Sequence, residues 1–411
     1  MLRSLLAGAL AATLAVPVLP GAPASAAPTP RRIVYTSWTS NADFGAGTLQ
    51  GVALSHGRLV MDAPVAARRY AGRRYDVARW VSPWRTPRFG LTELIASWNA
   101  RTPGNSWIEV QVRGRSGGGR TSSWDVLGRW GTGEKFIHRT SVPAQGDDLA
   151  GVNVDTWQTR TDMAGWQLRV LLMRGRGAPS PVVEGVGAVV SRLPHVSGVA
   201  TSDPGTGPRI VLPVPRYSQM AHRGHYPRWG GGGEAWCSPT STSMVLGRYD
   251  ALPAAGAYGW IPKGHVDPWV DYAARKTYDS AYAGTGNWPF NTAYAATLAD
   301  DAFVTRLRNL REARYFIEAG IPLVASISFG PGELSGAPIT STNGHLLVIV
   351  GFTASGDVVV NDPAASTRAG VRRTYDRAQF EDAWIPSSGG LVYVIRDRAH
   401  PLPDPARHSN W

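Results

Sequence analysis

From Ile33 to about Val196 the apolar positions fall at the spacing of β-strands, and no helical stripe interrupts them. Ile108-Glu109-Val110-Gln111-Val112-Arg113 alternates strictly, the pattern of a strand with one face buried and one face wet. Leu168-Arg169-Val170-Leu171-Leu172 and the run from Val186 to Val190 are more continuously apolar, as in strands at the centre of a sandwich. Leu94-Ile95-Ala96-Ser97-Trp98 adds another. Turn residues punctuate them at Thr102-Pro103-Gly104-Asn105, Ser116 to Gly119 and Gly131-Thr132-Gly133. The expected fold over 27–200 is an all-β antiparallel sandwich or jelly roll, entered through a short Pro/Arg segment at 27–32. A Ser/Gly/Pro/Thr/Asp stretch follows, with an inter-domain linker at 201–209.

The pattern changes after residue 210. Ile210-Val211-Leu212-Pro213-Val214-Pro215 is extended, and a loop rich in Gly and His runs to Trp236. Apolar positions at three- and four-residue spacing predict a helix from Leu310 to Ala319, stopped by Gly320, and a further helix spans Pro268 to Lys276. Strands are expected at Pro322 to Ile327, Leu346 to Phe352, Asp357 to Val360, Val371 to Tyr375 and Leu391 to Ile395, with a short helix from Asp376 to Trp384. Helices followed by an antiparallel meander make 210–398 an α+β domain. Residues 399–411 are expected to be a loosely ordered tail.

Composition narrows the class. An apolar share of 43% supports ordinary cores, and 18% charge excludes a disordered chain. Residues 1–26 read as a secretory signal, with Arg3 in the n-region, Leu5 to Leu19 as the apolar core and Ala24-Ser25-Ala26 as the cleavage site. Pro17, Pro20 and Pro23 break that run, so a membrane anchor is not expected, and the protein is expected to be secreted, without stable membrane insertion. Of the 42 Lys and Arg residues in the whole chain only three are lysines, and the arginines are scattered along it. Nothing resembles a nucleic-acid module. About 165 strand-rich residues point to a folded accessory domain rather than a propeptide-like cover. Its nine tryptophans (Trp38, Trp80, Trp84, Trp98, Trp107, Trp124, Trp130, Trp157 and Trp166) serve either core packing or stacking on glycans. Asp147, Asp148 and Asp155 could ligate calcium, but a solvated loop is the simpler reading. No cofactor and no metal ligand is assigned.

The chemistry centres on Cys237, the single cysteine. It follows the glycine run Gly230 to Gly233, which reads as a mobile rim of a substrate cleft. It opens the predicted helix Cys237-Ser238-Pro239-Thr240-Ser241-Thr242-Ser243-Met244-Val245-Leu246. At a helix N-terminus the backbone N–H groups and the dipole favour a thiolate; the alternative is a packed thiol. An exported chain with one unpaired cysteine gives that thiol a reason to be functional. A nucleophile needs a base, and the base needs an orienting group. His345 stands at a strand entrance. Asp362 lies at the end of the hairpin strand that should pair with it, so the two can meet. Asn361 is turned to the opposite face. Gln219, upstream of the cysteine, offers an amide to an oxyanion.

These residues carry a resemblance. Val214-Pro215-Arg216-Tyr217-Ser218-Gln219, Trp236-Cys237-Ser238-Pro239-Thr240-Ser241, Gly344-His345-Leu346-Leu347-Val348-Ile349-Val350-Gly351-Phe352 and Val358-Val359-Val360-Asn361-Asp362-Pro363 make residues 210–396 resemble a C39-like cysteine peptidase domain of the papain-like superfamily. The whole chain is similar to secreted actinobacterial proteins with a β-rich first half. The resemblance implies Cys237 as nucleophile, His345 as base, Asp362 as orienter and Gln219 as oxyanion donor, acting on a peptide or protein substrate. The family's cysteine is often followed by Gly, where this chain has Ser238. The chain carries no ATP-binding cassette or membrane domain, so the transporter-linked, leader-cleaving role does not transfer. Cell-wall amidase or transpeptidase chemistry would use the same triad, and a non-catalytic protein binding cell-wall peptides or glycans is the reading from another class.

Overall fold

The fold is taken from a computed structural model that describes residues 30–411 except 147 and 405–407; the expected signal, 1–26, lies outside the described residues. Strands from Arg32–Trp38 to Val182–Arg192 pair antiparallel throughout and join into one twelve-stranded sheet. The join is made by one strand, Thr156–Gly175, 20 residues long. Its start pairs with Leu91–Arg101, and its remainder pairs with Ser106–Ser116 on one edge and Arg73–Val81 on the other. Register shifts near Met163 let it pass between the two groups of partners. A single strand therefore links what a simple sandwich keeps as two sheets.

Polarity along Ile108–Arg113 misleads about burial. Ile108, Val110 and Val112 enter the core as expected, but Glu109 and Gln111 on the other face are buried as well. Arg68 and Arg129 cover that face and donate to the Glu109 carboxylate at 2.8 and 2.7 Å, while Gln111 donates to it at 2.6 Å. The paired guanidiniums make a buried carboxylate tolerable. Seven of the nine tryptophans (Trp38, Trp80, Trp98, Trp107, Trp130, Trp157 and Trp166) are core residues at 0–1% exposure, so they offer no face to a sugar. Trp84 and Trp124 are half-buried, and the Arg113 guanidinium lies over both rings at 5.2 and 4.5 Å.

The second half is α+β. Its seven-stranded antiparallel sheet runs Asp301–Arg306, Leu391–Arg396, Leu323–Phe329, Thr342–Phe352, Val358–Asn361, Arg372–Tyr375, with Ile210–Val211 added beside Thr342–Phe352. Helices Cys237–Arg248, Pro268–Thr277, Trp288–Ala295, Leu310–Glu318 and Arg377–Ser388 surround it. Trp288–Ala295 and Asp301–Arg306 are not among the elements expected from the sequence. That helix is apolar on nearly all sides, with Pro289, Phe290, Ala293, Tyr294 and Ala295 all buried, so it shows no stripe. It starts where the Asn287 side chain accepts from the Phe290 N–H.

One hydrophobic core runs through both halves. Phe290 sits between Trp98 and Trp130 of the first half, with ring centroids 6.1 and 5.5 Å away. Polar ties flank it: Ser97 Oγ accepts from the Val304 N–H at 2.8 Å, and Asn99 donates to Asp301 at 3.0 Å. The stretch 201–209 has no regular structure, and Ser202 is held by Glu381 and Arg377. The last residues are docked, contrary to the expected loose tail. Asn410 donates to the Arg306 carbonyl and to Glu312, and the Trp411 ring meets Phe316 at 4.9 Å. Trp411→Ala should therefore cost about 3 kcal/mol in urea unfolding, a loss that a frayed terminus would not show. Among the described residues no helix is long and apolar enough to cross a membrane.

Candidate active site

Cys237 is the first residue of its helix, after Trp236. Pro239 falls in the first turn, where a missing N–H breaks no helical bond. The small hydroxylated residues that follow are buried, yet most have partners. Ser238 Oγ meets Tyr393 Oη at 2.9 Å, Ser241 donates to the Leu346 carbonyl at 3.0 Å, and Ser243 donates to the Pro239 carbonyl at 2.8 Å. The bonds to Tyr393 and Leu346 fasten the start of the helix to two strands of the sheet, one of which carries His345. The run is therefore a docking surface for the helix, and it fixes where the sulfur sits.

His345 pairs across the sheet with Ile327. Its Nε2 lies 2.8 Å from Asp362 Oδ1, which leaves Nδ1 free of that contact, and the ring is near enough to Cys237 to lower the thiol's pKa. Asp362 follows the last residue of Val358–Asn361, the strand paired with Thr342–Phe352. Its Oδ1 also accepts from the Ala364 N–H at 3.0 Å, and its Oδ2 accepts from Tyr375 Oη at 2.7 Å. Asn361 faces the other way, donating to the Pro215 carbonyl at 2.9 Å. Sulfur, imidazole, carboxylate and phenol thus form one row. Tyr375 was not singled out from the sequence, because its strand assignment alone does not show which carboxylate it reaches.

The charges in the row support one another. Burial opposes ionisation of the Cys237 thiol, but the His345 hydrogen bond and charge, with backbone N–H groups of Leu346 and Ser238, outweigh it and lower its pKa. Burial also works against a charged His345, yet the Asp362 charge and hydrogen bond, together with Cys237, raise its pKa well above the ordinary imidazole value. Burial disfavours the Asp362 carboxylate, and the His345 charge with donors from His345, Tyr375 and Ala364 brings its pKa below normal. Both shifts run in the direction that favours a thiolate–imidazolium pair.

Gln219 lines the same cleft as Cys237 and His345. Its Nε2 donates to the Glu234 carbonyl at 2.5 Å, which ties the upstream loop to the residues just before the cysteine. An amide nitrogen carries two hydrogens, so one remains for a ligand. The glycine run is more tightly built than a mobile rim. Gly230 lines the cleft, but Gly232 and Gly233 are buried. Gly232 has a φ of 102°, and a Cβ on Gly233 would lie 2.0 Å from the His222 carbonyl oxygen.

The cleft, of about 1540 Å³, has walls from both halves, including Glu93, Asp155, Gln158 and Arg192 from the first. Asp155 is no solvated loop residue. Burial pushes its pKa up to about 7, against hydrogen bonds from the Trp288 N–H at 2.8 Å and Thr156 at 3.3 Å. Asp148 accepts from backbone N–H groups of Ser123, Leu149 and Ala150. Asp147 lies outside the described residues.

A thiol in one cleft with an imidazole that is hydrogen-bonded to a buried carboxylate is the arrangement that thiol hydrolases use. Residues 211–392 match the model of the Peptidase_C39 like family, and residues 34–191 match that of the Peptidase C39 N-terminal domain. The chain belongs to the C39-like peptidase family, of the actinobacterial type. No curated protein matches it. Membership supports peptidase chemistry on a peptide or protein substrate at the level of the family.

Proposed function

We propose that the chain is an exported cysteine peptidase with a papain-like catalytic half. Cys237 is the nucleophile, His345 the proton carrier, Asp362 its orienter and Gln219 an oxyanion donor. The thiolate attacks the peptide carbonyl carbon, and the carbonyl electron pair moves onto oxygen. The backbone N–H of Cys237 and the Gln219 amide stabilise that oxygen. Collapse expels the amine, which takes the proton from the His345 imidazolium. A water then gives a proton to His345 and attacks the thioester, and the thiolate leaves with the acid product. Asp362, itself held by Tyr375, keeps the imidazole in place through both halves of the cycle.

The observation that carries this reading is His345, hydrogen-bonded through one nitrogen to the buried Asp362 at 2.8 Å and lining the same cleft as Cys237. Stoichiometric alkylation of Cys237 by iodoacetamide should abolish hydrolysis of a peptide library; hydrolysis that survives complete alkylation would refute the proposal. Running casein beside purified peptidoglycan separates a general peptidase from a cell-wall amidase or transpeptidase. Export rests on residues 1–26, and a mature N-terminus near Ala27 in protein from culture medium is the expected result.

The pH profile follows from the two opposed shifts. Cys237 loses its proton below the usual thiol range, and His345 holds its proton into the alkaline range. kcat/KM should rise as the thiol ionises, stay flat across neutral pH, and fall as the imidazolium loses its proton. Tyr375→Phe removes one donor to the buried carboxylate. It should lower kcat by about tenfold, from roughly 1.5 kcal/mol, and move the alkaline limb. An unchanged profile would count against Tyr375 as a positioning residue.

A further inference from the structure

A second cluster of titratable groups lies on the loop between Gln219 and Cys237. Asp271, in the first turn of Pro268–Thr277, is fully buried. Among the described residues, the charged or titratable side chains that meet its carboxylate are imidazoles. His222 Nδ1 lies 2.9 Å from Oδ2 and His225 Nδ1 lies 2.8 Å from Oδ1. His265 Nδ1 points at Oδ1 from 3.7 Å, too far for a hydrogen bond, and has no other partner among the described residues. A buried carboxylate needs a counter-charge, and no Lys or Arg among the described residues is an ion-pair partner of this one.

We propose that His222, His225 and Asp271 bind a divalent transition-metal ion of the zinc type. Each offers one ligand atom, and these atoms lie within 4.8 Å of one another. In a tetrahedral site with metal–ligand bonds of about 2.0–2.1 Å, ligand atoms are roughly 3.3 Å apart. His222 Nδ1 and His225 Nδ1 now approach different oxygens of Asp271, at 2.9 and 2.8 Å, so the carboxylate must turn one oxygen toward both rings to admit the ion. Two neutral imidazoles and one carboxylate suit zinc and leave a fourth position. The His225 side chain is 20% exposed, which gives water a route to that position. The His265 ring is stacked on His225 at 3.8 Å, nearly parallel, so it flanks the ion rather than binding it in this arrangement. Binding would displace the Nδ1 protons that now face Asp271.

The ion would also act on the cleft. His222 ends the turn Gln219–His222, and its carbonyl packs against Gly233, four residues before Cys237. A metal bridge from that turn to Pro268–Thr277 would fix the loop that carries Gln219. The binding claim stands independently of the catalytic one.

The experiment uses the full mature chain carrying Cys237→Ala, so that the thiol cannot bind zinc itself. Metal is removed with a chelator, and zinc is returned during calorimetry, thermal melting and elemental analysis. The expected result is one equivalent bound per chain, with a raised melting temperature. His225→Ala should weaken binding by at least about tenfold. Cobalt(II) gives a second readout that does not depend on the variant's stability, because a four-coordinate site with nitrogen ligands shows strong visible absorption. Substoichiometric zinc with no thermal shift, or equal binding by His225→Ala, would overturn the proposal and leave a hydrogen-bonded His–Asp–His clasp.

Discussion

Cys237→Ala is expected to lower kcat/KM for peptide hydrolysis by about 10,000-fold or more, with the folded structure unchanged. Removing the nucleophile of a covalent mechanism leaves only binding and oxyanion stabilisation, and such residues act as a unit. The thiol is only partly buried, and the helix start is held by Ser238 and Ser241 through bonds that do not involve the sulfur. Circular dichroism and urea unfolding should match the parent. His345→Ala should lose about as much, and the double variant little more than either alone. Hydrolysis retained by Cys237→Ala would mean that another group, or no group, performs the chemistry.

Phe290→Ala is expected to destabilise the protein by about 3–5 kcal/mol. The ring is fully buried, wedged against Trp98 and Trp130, and 3.0 Å from where a Cβ on Gly128 would stand. None of these neighbours can move in without leaving its own contacts, so the deletion leaves a cavity. Urea unfolding should show one transition at a lower midpoint with an unchanged slope. A loss below about 1 kcal/mol would mean that the site collapses easily and that the two halves do not depend on this contact. The effect should reach the cleft, because the same helix starts at Trp288, whose N–H donates to Asp155.

The meeting of His345 and Asp362 was legible because it is local: the two are 17 residues apart, joined by a hairpin whose strands were plain in the pattern. The position of Cys237 was legible for a similar reason, since the glycines before it and the hydroxyl run after it mark a helix start. Features that depend on long-range packing were not legible. Trp288–Ala295 is buried on nearly every side and so has no periodic stripe. Glu109 alternates like a wet residue, but distant arginines cover it. The tryptophans could be read as stacking platforms until the sheet closed around seven of them. Asp155 reached the cleft through a contact 133 residues away, which no local pattern encodes. The tail carries little apolar sequence, and its anchors, among them Ser409, Asn410 and Trp411, meet partners about a hundred or more residues away.

The stretch 201–209 is not a regular element, while the halves on either side share Phe290, Asp301, Val304 and Arg306 as points of attachment. Cohesion of the two halves is therefore expected to survive a break in the chain there. A protease that nicks the exposed backbone near Gly205 would produce a two-chain species that co-elutes on gel filtration and parts only in denaturant. Such a species would retain its cleft, since both walls stay in place. Such a nick would show as a change in mass on a denaturing gel with no change in native size.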